Sequence, residues 1–105
     1  MTYQLALSAL SDPTRCAILE ALRAEPQPVG ALAVRLPVSR PAVSQHLRVL
    51  SDAGLVTAEP RGTARIYRLA PQGFADLRAW LDTLWDDALT AYANEAAHRA
   101  RKTRP

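Results

Sequence analysis

Apolar residues recur along this chain at a spacing of three to four in most stretches and of two in one, with proline or glycine at nearly every changeover. Residues 2–10 carry Leu5, Leu7 and Leu10 and predict a short first helix. Asp12-Pro13 then reads as an N-cap followed by proline at the first helical position, where the missing N–H costs nothing. The second helix runs from there to residue 24 with Ile18, Leu19 and Leu22 facing inward, and Pro26 and Pro28 end it. A short third helix over 29–36 is closed by Pro37. Ser39 caps a fourth helix whose Val43, Leu47 and Leu50 stand at i, i+4 and i+7, and Gly54 ends it. Residues 55–59 and 65–69 alternate like short strands around Pro60-Arg61-Gly62-Thr63-Ala64, a hairpin connection. Pro71 opens a long last helix reaching residue 96 or beyond, with Phe74, Leu77, Leu81, Leu84, Ala88 and Tyr92 on one stripe that Trp80, Trp85 and Leu89 widen. The fold class is mainly α with a small β-hairpin, in the order ααααββα, and the final HRARKTRP is expected to fray.

The face of the fourth helix opposite its apolar stripe carries Arg40, Ser44, Gln45 and Arg48, with Pro41 in the first turn. Guanidinium, hydroxyl and amide groups are the types that bond phosphates and base edges in a major groove. The preceding turn, Pro37-Val38-Ser39, is as short as a helix-turn-helix requires, and Ser39 can add a phosphate bond to its cap. An ordinary amphipathic surface helix would show the same pattern, so the hairpin matters. Its tip holds Arg61, Gly62, Thr63 and Arg65, with Arg68 three residues on. A flexible basic tip of this kind can lie along the DNA backbone or in a minor groove, so the pair reads as a winged helix-turn-helix. Tyr67 is expected to pack against the fourth helix, and His46 to pack or bond within the helical unit or, alternatively, to contact a phosphate.

With 105 residues the chain is one domain, divided here into a winged helix-turn-helix over 1–96 and a basic tail over 97–105. The net charge of +3 is unevenly spread. Residues 39–69 hold five arginines against Asp52 and Glu59, and 70–92 hold Arg78 against Asp76, Asp82, Asp86 and Asp87. Positive charge therefore gathers where a polyanion would be met. The chain shows no apolar run of about 18 residues and no signal-peptide pattern, so a cytoplasmic protein without membrane contact is expected. The single cysteine, Cys16, cannot form an internal disulfide; it reads as a small buried side chain or, alternatively, a redox-sensing thiol. Cys16, His46, His98 and the scattered carboxylates offer no nucleophile, base and orienting group together, which excludes an enzyme. The last helix is more apolar than so small a domain needs, and an uncovered stripe of that size predicts a dimer interface at Leu77, Leu81, Leu84, Trp85, Ala88 and Tyr92.

The segments Leu10-Ser-Asp-Pro-Thr-Arg15, Ser39-Arg-Pro-Ala-Val-Ser-Gln-His-Leu47, Leu50-Ser-Asp-Ala-Gly-Leu-Val56 and Arg65-Ile-Tyr-Arg-Leu69 resemble the ArsR/SmtB family of bacterial winged-helix repressors over residues 5–90. The resemblance implies a homodimer through the first and last helices, adding Leu5 to the interface, and a near-palindromic double-stranded operator whose occupation blocks transcription. It also implies DNA contacts from Ser39, Arg40, Ser44, Gln45 and Arg48, with the wing at 59–66. Many relatives sense metals. Here residues 29–36 hold neither Cys nor His, Asp87 is followed by Ala88 and Leu89, and His98 has Arg101 where an acid would fall. Zinc needs three or four N, S or O ligands, so a metal-independent member without a cofactor is expected. A redox- or small-molecule-responsive repressor, or a winged-helix protein-interaction module, stands as the alternative; the operator, the regulated genes and the inducer stay open.

Overall fold

Two helices start where the sequence supplies a side-chain oxygen acceptor. In the computed structural model, which describes residues 2–103, Asp12 Oδ1 accepts from the backbone N–H groups of Thr14 and Arg15 at 2.8 and 3.1 Å, heading α2 (Pro13–Ala24). The Arg15 backbone N–H above all, then that of Thr14 and the Arg15 charge, holds the Asp12 carboxyl below the usual aspartate range against the opposing effect of desolvation. Ser39 Oγ accepts from the Ala42 N–H at 3.3 Å and heads α4 (Arg40–Asp52). The remaining helices are α1 (Thr2–Ala9), α3 (Val29–Arg35) and α5 (Pro71–Thr103).

One core joins them. Ile18, Leu19 and Leu22 of α2, Leu32 of α3 and Val43, Leu47 and Leu50 of α4 are buried together with Leu55, Val56 and Leu77. Ala6 and Ala9 let α1 approach this cluster closely, and Tyr3 stacks on Trp80 of α5 with ring centroids 4.9 Å apart. Burying each of the large aliphatic side chains stabilises the fold by about 1.5–3 kcal/mol.

The sheet has one strand more than the sequence pattern predicts. Strands β1 (Gln27–Pro28), β2 (Val56–Arg61) and β3 (Ala64–Leu69) run antiparallel in the order β1-β3-β2. The flanking prolines hid β1, which is tolerable because it is two residues long and lies at a sheet edge. Its Gln27 is buried and donates through Nε2 to Ala21 O and Glu25 O at 3.0 and 3.2 Å, tying the end of α2 to the sheet. The hairpin is also tighter than expected. Both strands extend through the anticipated loop, Pro60 pairing with Arg65 and Arg61 with Ala64, so that only Gly62-Thr63 turns. Gly62 has φ 63°, the positive value that the first central residue of a tight hairpin turn demands. Pro60 is accommodated because β2 is the other edge strand.

The start of α5 is pressed onto the end of α4. Gly73 N–H donates to Gly54 O at 2.8 Å, and a Cβ at Gly73 would stand 2.5 Å from Ala53 O, so only glycine fits. From there α5 continues for 33 residues, about 50 Å at 1.5 Å per residue. Every described side chain from Leu81 to Arg101 is exposed. The molecule consequently measures 75 × 25 × 22 Å, and its radius of gyration of 19.9 Å exceeds the ~13 Å of a compact domain of this length. The basic segment expected to fray is helical through Thr103, a run of good helix formers continuing α5; Arg104 and Pro105 lie outside the described residues.

Candidate nucleic-acid interface

Helix α4 divides cleanly into two faces. Val43, Leu47 and Leu50 are buried, whereas Arg40, Pro41, Ser44, Gln45 and Arg48 are all exposed on the other side, with Ser39 exposed at the cap. The 3.6-residue period, interrupted only at the Ser39 cap and the Gly54 terminus, is what sorts them. Arg40 folds back towards α3: its Nη1 stands 3.7 Å from where a Cβ at Gly30 would be, so the glycine leaves room beside the guanidinium.

The hairpin brings a second basic group to the same side. Cross-strand pairing puts Arg65, Tyr67 and Ala58 on one hairpin face, with Pro60 opposite Arg65. Arg65 and Tyr67 line a groove together with Leu47, Arg48, Ser51 and Asp52 of α4. Two arginines predicted separately from helix and hairpin thus share one groove, which Tyr67 also lines while packing against the core. Arg61, Gly62 and Thr63 form the exposed tip. Arg68 belongs to the other face and makes an ion pair with Glu59, so it does not join the groove.

One neighbour of α4 escaped the sequence reading. Arg15 of α2 lines a groove with α4, its Nη1 3.4 Å from His46 Nδ1. A 31-residue separation hides that neighbourhood from any periodicity; the only sequence signal is the placement of Arg15 three residues after a strong N-cap.

The residues expected at a subunit interface divide differently. Leu81, Leu84, Trp85, Ala88 and Tyr92 are exposed along α5, and Leu5 is 54% exposed on α1. Leu77 is only 8% exposed because it packs into its own protomer's core, and it offers a partner little surface. Leu7 and Leu89, outside the expected set, are exposed beside the others. Cys16 is half-buried and its Sγ donates to Leu10 O at 3.2 Å. Among the described residues, no three His, Cys, Asp or Glu side chains converge in a way that could hold a metal ion. Among the same residues, no helix is long and apolar enough to cross a membrane.

Comparison with known proteins places this geometry. A family model described as a helix-turn-helix domain matches residues 10–59. The HTH-type transcriptional regulator Rv2034 of Mycobacterium tuberculosis is 58% identical over 88 residues, covering 84% of this chain and 82% of that protein. The ArsR-like transcriptional regulator from Rhodococcus sp. RHA1 superposes with a TM-score of 0.77 at 34% identity, covering 92% of each chain. The homodimeric winged helix-turn-helix DNA-binding domain of Mb0332 from Mycobacterium bovis superposes at 0.66 with 30% identity, covering 84% of this chain and 82% of that one.

Proposed function

Because this chain belongs to the ArsR/SmtB family of winged helix-turn-helix transcriptional regulators, DNA-binding proteins and not enzymes, we propose that it is a homodimeric repressor acting in the cytoplasm on a near-palindromic operator. The observation that carries the reading is the continuous exposed surface from Arg40 to Arg48 on α4 and across one groove to Arg65 of the hairpin. In this reading α4 enters the major groove. Gln45 bonds an adenine edge, and Arg40 and Arg48 bond guanine or the backbone, each good bidentate pair being worth about 1–3 kcal/mol of discrimination. Ser39 and Ser44 bond phosphates, and Pro41 fixes the first turn that approaches the bases. The wing tip at Arg61, Gly62 and Thr63, with Arg65 behind it, lies along the backbone or in the adjacent minor groove.

Dimerisation supplies the symmetry. The exposed stripe Leu81, Leu84, Trp85, Ala88 and Tyr92, with Leu5 of α1, is the surface a second copy would cover, and the similar Mb0332 domain is homodimeric. Two recognition helices then meet successive major grooves about 34–36 Å apart, and the bound dimer excludes polymerase sterically. Metal plays no part in this account. The stretch 29–36 offers no thiol or imidazole, and Leu89 and Arg101 stand where two of the four ligands would be needed on α5.

Substitution separates the two kinds of contact. Arg40→Ala or Gln45→Ala relaxes the preference for operator over random duplex by roughly tenfold or more, from the energy of one base contact. Arg61→Ala or Arg65→Ala weakens both duplexes alike and reduces the salt slope by about 0.9 per lost phosphate contact. An unchanged operator preference in both α4 variants contradicts the assignment.

A further inference from the structure

We infer that the groove between α2 and α4 seats a backbone phosphate of the operator, gripped by Arg15 and His46. The inference rests on the reading that the exposed face of α4 meets DNA, and it extends that interface to an element outside the helix-turn-helix and wing. The groove has a volume of about 430 Å³ and is lined by Arg15, Pro41, Ala42, Gln45, His46 and Val49. Pro41 and Gln45 belong to the face assigned to the bases, so whatever lies across α4 at that point also lies over the groove.

The chemistry at its wall suits an anion. Arg15 Nε donates to Ala9 O at 2.7 Å and Nη2 to Ser8 O at 3.4 Å, which locks the guanidinium onto the end of α1. Its side chain is 16% exposed, so it is a fixed cation at the groove and not a mobile surface arginine. Arginine has no acceptor, so its approach to His46 Nδ1 at 3.4 Å requires a lone pair there and puts the imidazole proton on Nε2. The groove therefore offers a guanidinium, whose five N–H donors outnumber its protein acceptors, and an imidazole N–H. Asp12 is the charged group facing them, 4.0 Å from Arg15, and its Oδ1 is engaged by the Thr14 and Arg15 backbone N–H groups. Because the arginine is held before DNA arrives, binding a phosphate freezes no further rotamers.

The inference separates from the parent reading in one experiment. Operator duplexes carrying a single neutral methylphosphonate, moved one position at a time, are titrated with the unmodified protein, Arg15→Gln and His46→Leu, with folding and dimerisation of each checked by thermal unfolding and light scattering. At one phosphate per half-site, neutralisation weakens the unmodified protein roughly fivefold at about 0.15 M salt. Arg15→Gln loses that sensitivity and its salt slope falls by about 0.9 per protomer, with the operator preference intact; His46→Leu loses part of the sensitivity. Either folded variant retaining full sensitivity at every position overturns the phosphate seat. If Arg40→Ala and Gln45→Ala also leave operator preference untouched, the parent reading falls with it; if they relax it, the seat alone is wrong.

Discussion

Single residues decide where the elements of this protein begin and meet. Asp12, Ser39 and Gly54 are legible in the sequence because caps and terminators act locally, through the next few backbone groups. Gly73 is not, since its requirement comes from the carbonyls of Ala53 and Gly54 nineteen or more positions earlier in the chain. The same holds for Arg15 and Leu77, whose surroundings are built by distant segments. Asp12 makes a pH prediction. Its carboxyl titrates below the ordinary aspartate value of 3.8 in the folded chain, so the charged cap contributes its full stabilisation above that value and loses it as pH falls through the lower native one. Thermal unfolding followed from neutral pH down to about pH 2 should show Asp12→Asn, which keeps a capping oxygen but no charge, less stable at pH 7 and less sensitive to acid below pH 4 than the unmodified protein. Identical acid sensitivity in the two proteins refutes the role given to this carboxylate.

At the scale of elements, the helices read well because each buries one face against a common core, which writes a 3.6-residue period into the sequence. The hairpin read less well. Pro60 and Arg61 look like loop residues, but an edge strand tolerates both, and β1 is too short to display any period. Helix α5 is the element whose pattern exceeds its own protomer. Phe74, Leu77 and Trp80 are packed inward, yet Leu81, Leu84, Trp85, Leu89 and Tyr92 continue the stripe into solvent. In proteins most helical stability comes from tertiary packing of an apolar face, which this extension of α5 lacks, and a second copy over the stripe would supply it. Leu84→Asp should therefore convert a dimer at micromolar concentration into a monomer by light scattering, lower the helix content reported by circular dichroism, and leave the α2–α4 core folded. A Leu84→Asp protein that remains dimeric would place the interface elsewhere.

On the scale of the whole molecule, a compact helical unit carries exposed arginines on α4 and the hairpin, while α5 projects far beyond it. The backbone contact between Gly54 and Gly73 joins these parts, linking the residues that follow α4 to the first turn of α5. In the proposed dimer the separation of the two α4 helices is set by how two copies of α5 meet, through contacts between chains that leave no period within one. That is why the exposed polar face of α4 was legible in the sequence and an operator sequence was not. The central claim, a twofold-symmetric reader of DNA sequence, is tested most directly by selecting bound duplexes from a random pool with the purified protein. The account predicts enrichment of one inverted repeat whose half-sites are centred one helical turn, about 10 base pairs, apart. Enrichment of a single unrepeated motif, or of none, would contradict it.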